Sequence, residues 1–318
     1  MHVTVLGFHN TTLAVRGLSS APVIVAYLSL LGATLVWGVS FVIIQRTVAA
    51  YPTLSFLGLR FAAAALAVAP LMLTRASRPT RAAWRGGASM GACLALGYLG
   101  QTFGLRFTTV SNSGFLTGLY VVLTPLLAFI VLGRRPGGRV LLAVLAATAG
   151  LALLSGWPTA SPRDARLGDW LTLGGALGFS VHFLVGERHA PRHPVATLNF
   201  VQFAVVAVAC LAGGAALEGL PPPPPAVWGA IAFTSMACTV LGFAAQTYAQ
   251  ARLPATVVAL VLSLEAPFAA LFGYWLAGDR LGSTAWLGAA LVLGASVVVA
   301  TAPSVGQPLR AARLDPSP

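Results

Sequence analysis

Residues 110–132 read VSNSGFLTGLYVVLTPLLAFIVL, and residues 254–277 read PATVVALVLSLEAPFAALFGYWLA. The first stretch holds no charged side chain, and the second holds only Glu265. A helix rises 1.5 Å per residue, so about 20 apolar residues cross the ~30 Å of hydrocarbon in a bilayer. Each stretch reads as a membrane span, and each carries a proline, Pro125 and Pro267, at a matching place.

Blocks of the same kind lie on both sides. The spans are set at 23–45, 54–74, 86–105, 110–132, 138–156, 169–187, 195–217, 226–249, 254–277 and 282–302. Composition agrees: 57% of the 318 residues are hydrophobic and 8% charged, against about 25% charged in soluble domains. Most blocks are apolar all round rather than striped.

The net charge of +12 comes from arginine alone, since the chain has no lysine. The 19 arginines sit mostly in short gaps between apolar blocks, which excludes a face tracking phosphates and points to charges that orient helices. Cys93, Cys210 and Cys238 fall inside spans without metal-ligand or disulfide spacing, and read as packing residues. Residues 1–21 are too polar and irregular for a cleaved signal peptide, so the first span is expected to be retained. Residues 1–22 and 303–318 are expected to be cytoplasmic, with the tail disordered. The proline run 221–225 reads as a stiff extended spacer.

Arginine placement sets the orientation. With the N-terminus inside, the inner segments hold Arg16, Arg75, Arg78, Arg81, Arg85, Arg134, Arg135, Arg139, Arg188, Arg192, Arg252, Arg310 and Arg313. The outer ones hold Arg46, Arg106, Arg163, Arg166 and Arg280, and Arg60 lies within a span. That bias places both termini in the cytoplasm of a bacterial cell, in a multi-pass cytoplasmic-membrane protein.

An internal repeat organises the whole chain. A shift of 142 aligns Val39, Phe41, Arg46, Pro52 and Phe61 with Val181, Phe183, Arg188, Pro194 and Phe203. A shift of 145 aligns Gln101-Thr102-Phe103 with Gln246-Thr247-Tyr248, and Gly133 with Gly278. The units are 23–156 and 169–302. Five spans each, an odd number, put the second unit into the membrane upside down. The fold class is therefore all-α integral membrane, with ten transmembrane helices as two inverted five-helix repeats. Inverted repeats are a recurrent plan of secondary transporters, with the solute site between the units.

Specific residues sharpen this reading. They are Trp37-Gly38-Val39-Ser40-Phe41, Leu59-Arg60-Phe61, Ser113 to Tyr120 with Pro125, Ser263-Leu264-Glu265-Ala266-Pro267, and Gly278-Asp279-Arg280. In their order on these spans, from about residue 25 to 302, the chain resembles the drug/metabolite transporter superfamily, EamA type. The resemblance implies ten helices in two five-helix repeats and transport of a metabolite or amino acid, often export. One departure is Gly133-Arg134-Arg135, which lacks the acidic residue that marks the matching turn at Asp279.

Candidate site residues follow from polarity at membrane depth. Trp37 is the tryptophan well inside a span, and Ser40 lies one turn on. The others (Trp84, Trp157, Trp170, Trp228, Trp275, Trp286) lie near span ends, where an aromatic belt belongs. Trp37 reads equally as helix packing or cavity lining. Pro125 and Pro267 each remove a backbone donor and are expected to break the fourth and ninth spans. Glu265, costing roughly 2–3 kcal/mol within a span, has to face the interior, as a coupling carboxylate or a structural hydrogen-bonding group. Arg60, roughly 10 Å into its span, either snorkels or contacts an anion. His182, the mate of Ser40, reads as a packing residue or a proton site. Two polar stripes, Ser113, Thr117, Tyr120 and Thr124, and Ser235, Thr239, Gly242 and Gln246, either line a wet cavity with Tyr98 and Gln101 or hold helices together.

The sequence contains no nucleotide-binding loop and no metal-ligand pattern, so neither cofactor nor metal is expected. The expected partners are the bilayer, a small organic solute and protons, without nucleic acid, in a monomer or homodimer. The expected activity is secondary transport of an amino acid, drug-like compound or other metabolite by alternating access, in the efflux direction. A membrane-embedded enzyme, a scaffold and a channel are the other readings. The topology is tested by single cysteines at Ser161 and Ala76, labelled in intact cells with an impermeant thiol reagent. Labelling at 161 alone is expected, and labelling at 76 alone would reverse the orientation.

Overall fold

The computed structural model describes residues 21–74, 80–155 and 163–300, so most of the two expected cytoplasmic segments lies outside the described residues. Among those residues the chain is helical, with no strand. The helices are α1 (Ala21–Ala50), α2 (Thr53–Val68, continued by a 3-10 turn Ala69–Leu73), α3 (Arg81–Gly104), α4 (Val110–Leu132) and α5 (Gly138–Ser155). There follow α6 (Arg163–His189), α7 (Val195–Leu217), α8 (Pro225–Gln250), α9 (Ala255–Ala277) and α10 (Ser283–Ala300). Seven of these, namely α1, α2, α4, α7, α8, α9 and α10, are long and apolar enough to cross a membrane.

Both α3 and α6 start earlier than the apolar blocks suggest, at Arg81 and Arg163. Arginine is a good helix former, and outside hydrocarbon nothing stops the helix from running on through it. At the start of α3, Thr80 Oγ1 accepts the Ala83 N–H at 3.1 Å. The proline run stays irregular until Pro225, which opens α8 at the first-turn position where its missing N–H costs nothing.

Packing follows the repeat. α2 lies on its mate α7, α4 on α9 and α5 on α10, while α3 against α6 is matched by α8 against α1. Mates run antiparallel where they touch: Gly114 lies near Ala269 and Gly118 near Ala266, and Gly58 meets Leu211 while Gly213 meets Leu54. Gly133 and Gly278, aligned in the repeat, both end their helices with positive φ (64° and 80°), a conformation open to glycine without strain. Carboxylates at one end of the bundle tie the halves together. Glu218 accepts the Leu54 and Ser55 N–H groups that start α2, and Asp279 accepts the Ser111 N–H that starts α4.

The irregularities expected from Pro125 and Pro267 lie upstream of each proline. α4 is interrupted at Leu119, and Pro125 sits inside the continuous half Tyr120–Leu132. α9 breaks at Ser263-Leu264, where the Ala266 N–H bonds the Ser263 carbonyl in a tight turn. A proline's ring and missing N–H disturb the turn before it, so the irregular backbone falls upstream. Two π-helical segments, Thr234–Leu241 in α8 and Gly273–Ala277 in α9, occur without any proline.

The exterior is apolar, with Leu142, Ile130, Val131, Leu241 and Val208 each more than 65% exposed. A soluble surface would not carry so continuous an apolar band. Trp37 is buried, and the other described tryptophans (Trp84, Trp170, Trp228, Trp275 and Trp286) are exposed; Trp157 lies outside the described residues.

Backbones of α3 and α6 meet through glycine. A Cβ on Gly175 would stand 2.7 Å from the Gln101 nitrogen and 2.7 Å from the Gly97 oxygen, while a Cβ on Gly174 would meet nothing within 4 Å. Gly175→Ala is therefore expected to destabilise the protein in detergent by about 1–3 kcal/mol. Gly174→Ala should be neutral or stabilising by up to about 1 kcal/mol, through better helix propensity. Thermal unfolding of the pair checks this, and equal loss in both would refute the contact.

Candidate functional site

A cavity opens at the centre of the bundle, between the halves. α1 contributes Trp37, Ser40, Phe41 and Ile44, and α3 contributes Tyr98, Gln101 and Thr102, with Leu105 at its end. α4 contributes Tyr120, α6 Phe179, His182 and Phe183, α8 Phe243 and Gln246, and α9 Glu265. Its empty space is about 550 Å³, of which only about 40 Å³ is wide enough for the centre of a water molecule. The cavity is narrow in this state.

Most of the lining comes in repeat pairs. Trp37 matches Phe179, Ser40 matches His182 and Phe41 matches Phe183 at the first offset; Tyr98 matches Phe243 and Gln101 matches Gln246 at the second. The fold supplies equivalent positions twice, and the sequence then fills them differently. Where one half offers the Trp37 N–H and Tyr98 hydroxyl, the other offers phenylalanine.

Trp37 is held by irregular backbone. In α8 the Gly242 N–H reaches back to the Ala237 carbonyl, five residues earlier, instead of to Cys238. That π turn leaves the Cys238 carbonyl able to accept the Trp37 indole N–H at 2.8 Å. Gly242 lies directly beneath the indole: a Cβ there would stand 2.7 Å from Nε1.

Glu265 opens the second half of α9 and accepts the Tyr120 hydroxyl at 2.9 Å. It thereby joins the two broken mates, α4 and α9. Elsewhere in the same half as Glu265, His182 Nε2 lies 2.8 Å from Gln202 Oε1, and Gln246 Nε2 lies 3.3 Å from His182 Nδ1. One tautomer, with the proton on Nε2, satisfies both. Behind it, Asn199 Oδ1 accepts from Gln202 at 2.7 Å and from Thr247 at 2.8 Å. Asn199 and Thr247 were not among the sequence candidates, although an asparagine three residues before Gln202 in an apolar run is a signal of an internal network.

Arg60 does not snorkel. It is 1% exposed, donates from Nε to Thr239 Oγ1 at 2.9 Å and from Nη2 to the Tyr98 hydroxyl at 3.1 Å. Its guanidinium carbon stands 4.7 Å from the Tyr98 ring centroid and 5.3 Å from that of Phe61. Among the described residues it pairs with no carboxylate, and Nη1 has no hydrogen-bond partner. It lies behind Tyr98 rather than on the cavity wall.

Of the sequence candidates, the cavity brings together Trp37, Ser40, Tyr98, Gln101, Tyr120, His182, Gln246 and Glu265. Ser113, Thr117, Ser235 and Thr239 are buried off its wall, between helices. Thr117 Oγ1 accepts from Gln101 at 3.1 Å, and Ser235 donates to the Arg60 carbonyl at 2.9 Å. Pro125 and Pro267 also lie off the wall, near the breaks that place Tyr120 and Glu265.

The profile of the EamA-like transporter family matches residues 24–156 and again 166–301. The chain belongs to the EamA-like transporter family. It is similar to an uncharacterized transporter of Archaeoglobus fulgidus, 27% identical over 280 residues that cover 83% of this chain and 82% of the relative. A solved crystal structure superposes on it with a TM-score of 0.68 at 19% identity, covering 86% of this chain and 95% of the other; that likeness concerns the fold alone. Together with the apolar helices, the family makes this a multi-pass membrane protein and a membrane transporter.

A buried cation without a counter-ion is a cost to the fold, and an apolar chain of similar length removes that cost. Arg60→Met is therefore expected to change the unfolding free energy by less than about 2 kcal/mol. Arg60→Ala, which also leaves a void, should cost more than about 3 kcal/mol. Denaturation in detergent compares them, and an equally large loss in both would mean that the charge itself holds the helices together.

Proposed function

We propose that the protein is a secondary carrier that moves a small organic metabolite out of a bacterial cell, across the cytoplasmic membrane, through the central cavity. In this reading all ten helices cross the bilayer, with both termini cytoplasmic. The units 23–156 and 169–302 rock about the site, exposing it alternately to each side. The observation that carries the proposal is the cavity's pairwise lining by mates from two antiparallel halves. A site built that way presents nearly the same walls to either face, as alternating access requires.

The chemistry suits an amphipathic solute. Trp37, Phe41, Phe179, Phe183 and Phe243 give flat apolar walls, and Ser40, Gln101, His182, Gln246 and Glu265 give a few polar anchors. Glu265 is the carboxylate at the wall and the candidate proton carrier, with Tyr120 able to hand over or hold its hydrogen bond. The narrowness of the cavity corresponds to a closed stage of the cycle. A scaffold would have no need of polar side chains around such a space.

Reconstitution in liposomes tests this. Flux of a candidate amino acid, nucleoside or aromatic metabolite is expected without ATP and with a pH gradient as driving force. Trp37→Ala should reduce that flux at least about tenfold, as expected for loss of an aromatic contact worth over 1.4 kcal/mol, and Trp228→Ala at the exterior should not. Glu265→Gln should bind solute but lose the response to the pH gradient. Equal flux from the two tryptophan variants, or unchanged proton-driven flux in the glutamine variant, would remove the corresponding role.

A further inference from the structure

At the opposite end of the bundle from the Asp279 and Glu218 caps, a second cleft separates the start of α3 from the end of α6. It is lined by Arg81, Arg85, Arg188, His189, Arg192 and His193. It is an open cleft with about 1050 Å³ of empty space, part of it continuous with solvent.

This concentration of charge is locally unfavourable. Arg81 and Arg85 are four residues apart on α3, a spacing at which like charges repel, and Arg188 at the end of α6 and Arg192 just beyond it add two more cations to the same cleft. The two helices are pinned together all the same: His189 lies so close to Gly86 that a Cβ there would stand 2.7 Å from Nδ1. The His189 and His193 rings stack at 5.9 Å. Among the described residues the cleft has no compensating acid. Glu187, next in chain, turns away to Arg134 at 2.9 Å, and none of the four arginines pairs with a carboxylate. Arg192, in the turn after α6, instead donates to the Arg188 carbonyl at the end of that helix.

The surroundings fix the depth. Trp84, between Arg81 and Arg85, is 46% exposed and meets Phe200 edge-on. An exposed tryptophan marks the headgroup level, so the cleft opens where phosphodiesters lie and its apolar flank continues into the acyl region. We infer that this cleft binds the phosphate of an anionic phospholipid headgroup. The arginine forks grip the phosphate oxygens, which are matched to guanidinium geometry, and the acyl chains run down the α3 side past Trp84. Bound lipid supplies the negative charge that the protein leaves out and clamps α3 to α6, two helices that both line the solute cavity.

Delipidated protein in neutral detergent, titrated with phosphatidylglycerol or phosphatidylcholine and read by native mass spectrometry, tests the site. Phosphatidylglycerol is expected to bind at least about tenfold tighter than phosphatidylcholine. The double variants Arg81→Gln/Arg85→Gln and Arg188→Gln/Arg192→Gln should each weaken it about tenfold or more, and either suffices if the other does not fold. Arg135→Gln/Arg139→Gln removes the same charge at the same end of the bundle and should change affinity less than about threefold. Equal weakening in all three variants would mean diffuse attraction and overturn the site. Displacement of the lipid by millimolar inorganic phosphate would overturn the lipid assignment in favour of a free phosphate ion.

Discussion

Hydrocarbon neither donates nor accepts a hydrogen bond, so each N–H and C=O at membrane depth must find its partner within the protein. Helices meet most of that demand, and small residues then let helices come close enough to meet the rest. Some buried hydroxyls return to their own helix: Ser40 donates to the Trp37 carbonyl at 2.7 Å and Ser180 to that of Ala176 at 2.8 Å. Where a helix departs from its regular pattern, a freed group can be taken up by a side chain from elsewhere. The π turn in α8 and the Trp37 indole are one such pair, and neither makes sense without the other.

Duplication gives the site its shape, and divergence gives it its chemistry. Arg60 and Gln202 occupy matching positions beside matching phenylalanines, Phe61 and Phe203, yet each anchors a different network. Arg60 fastens α2 to α3 and α8 through Tyr98 and Thr239. Gln202 fastens α7 to α6 and, through Asn199, to α8. One half thus carries a fixed positive charge where the other carries a neutral amide. The two halves therefore place different polar groups at equivalent positions of a nearly symmetric frame.

Much of this is legible in the amino-acid sequence. Apolar blocks near 20 residues locate the helices, because the bilayer sets their length, and the two offsets show which positions are equivalent. Eight candidates meet at the cavity because mid-span polarity is costly enough to be kept only for use or for bonding. What could not be read was rotational setting. Ser113 and Thr117 share a helical stripe with Tyr120, yet only Tyr120 reaches the wall, since the break at Leu119 turns the second half of α4. The π segments were hidden too. The one in α8 accompanies the Trp37 indole bond to the Cys238 carbonyl, and no proline within either segment announces it. The prolines pointed to the right helices: the α9 break falls at Ser263, whose carbonyl Pro267 leaves free, while the α4 break at Leu119 lies further upstream of Pro125.

The same irregularities bear on movement. Space for a solute must come from separating walls that now leave only about 40 Å³ for water centres. Straight, glycine-packed contacts such as α3 on α6 resist separation, since backbone atoms there are already in contact. The turns at Leu119 and Ser263-Leu264 each divide a helix into two halves, and the Tyr120–Glu265 hydrogen bond spans the two breaks. In the carrier proposed above, a proton or solute that competes for Glu265 acts where the two broken helices are joined. On that proposal, coupling between occupancy and opening needs no distant relay, because Glu265 both lines the cavity and joins its walls.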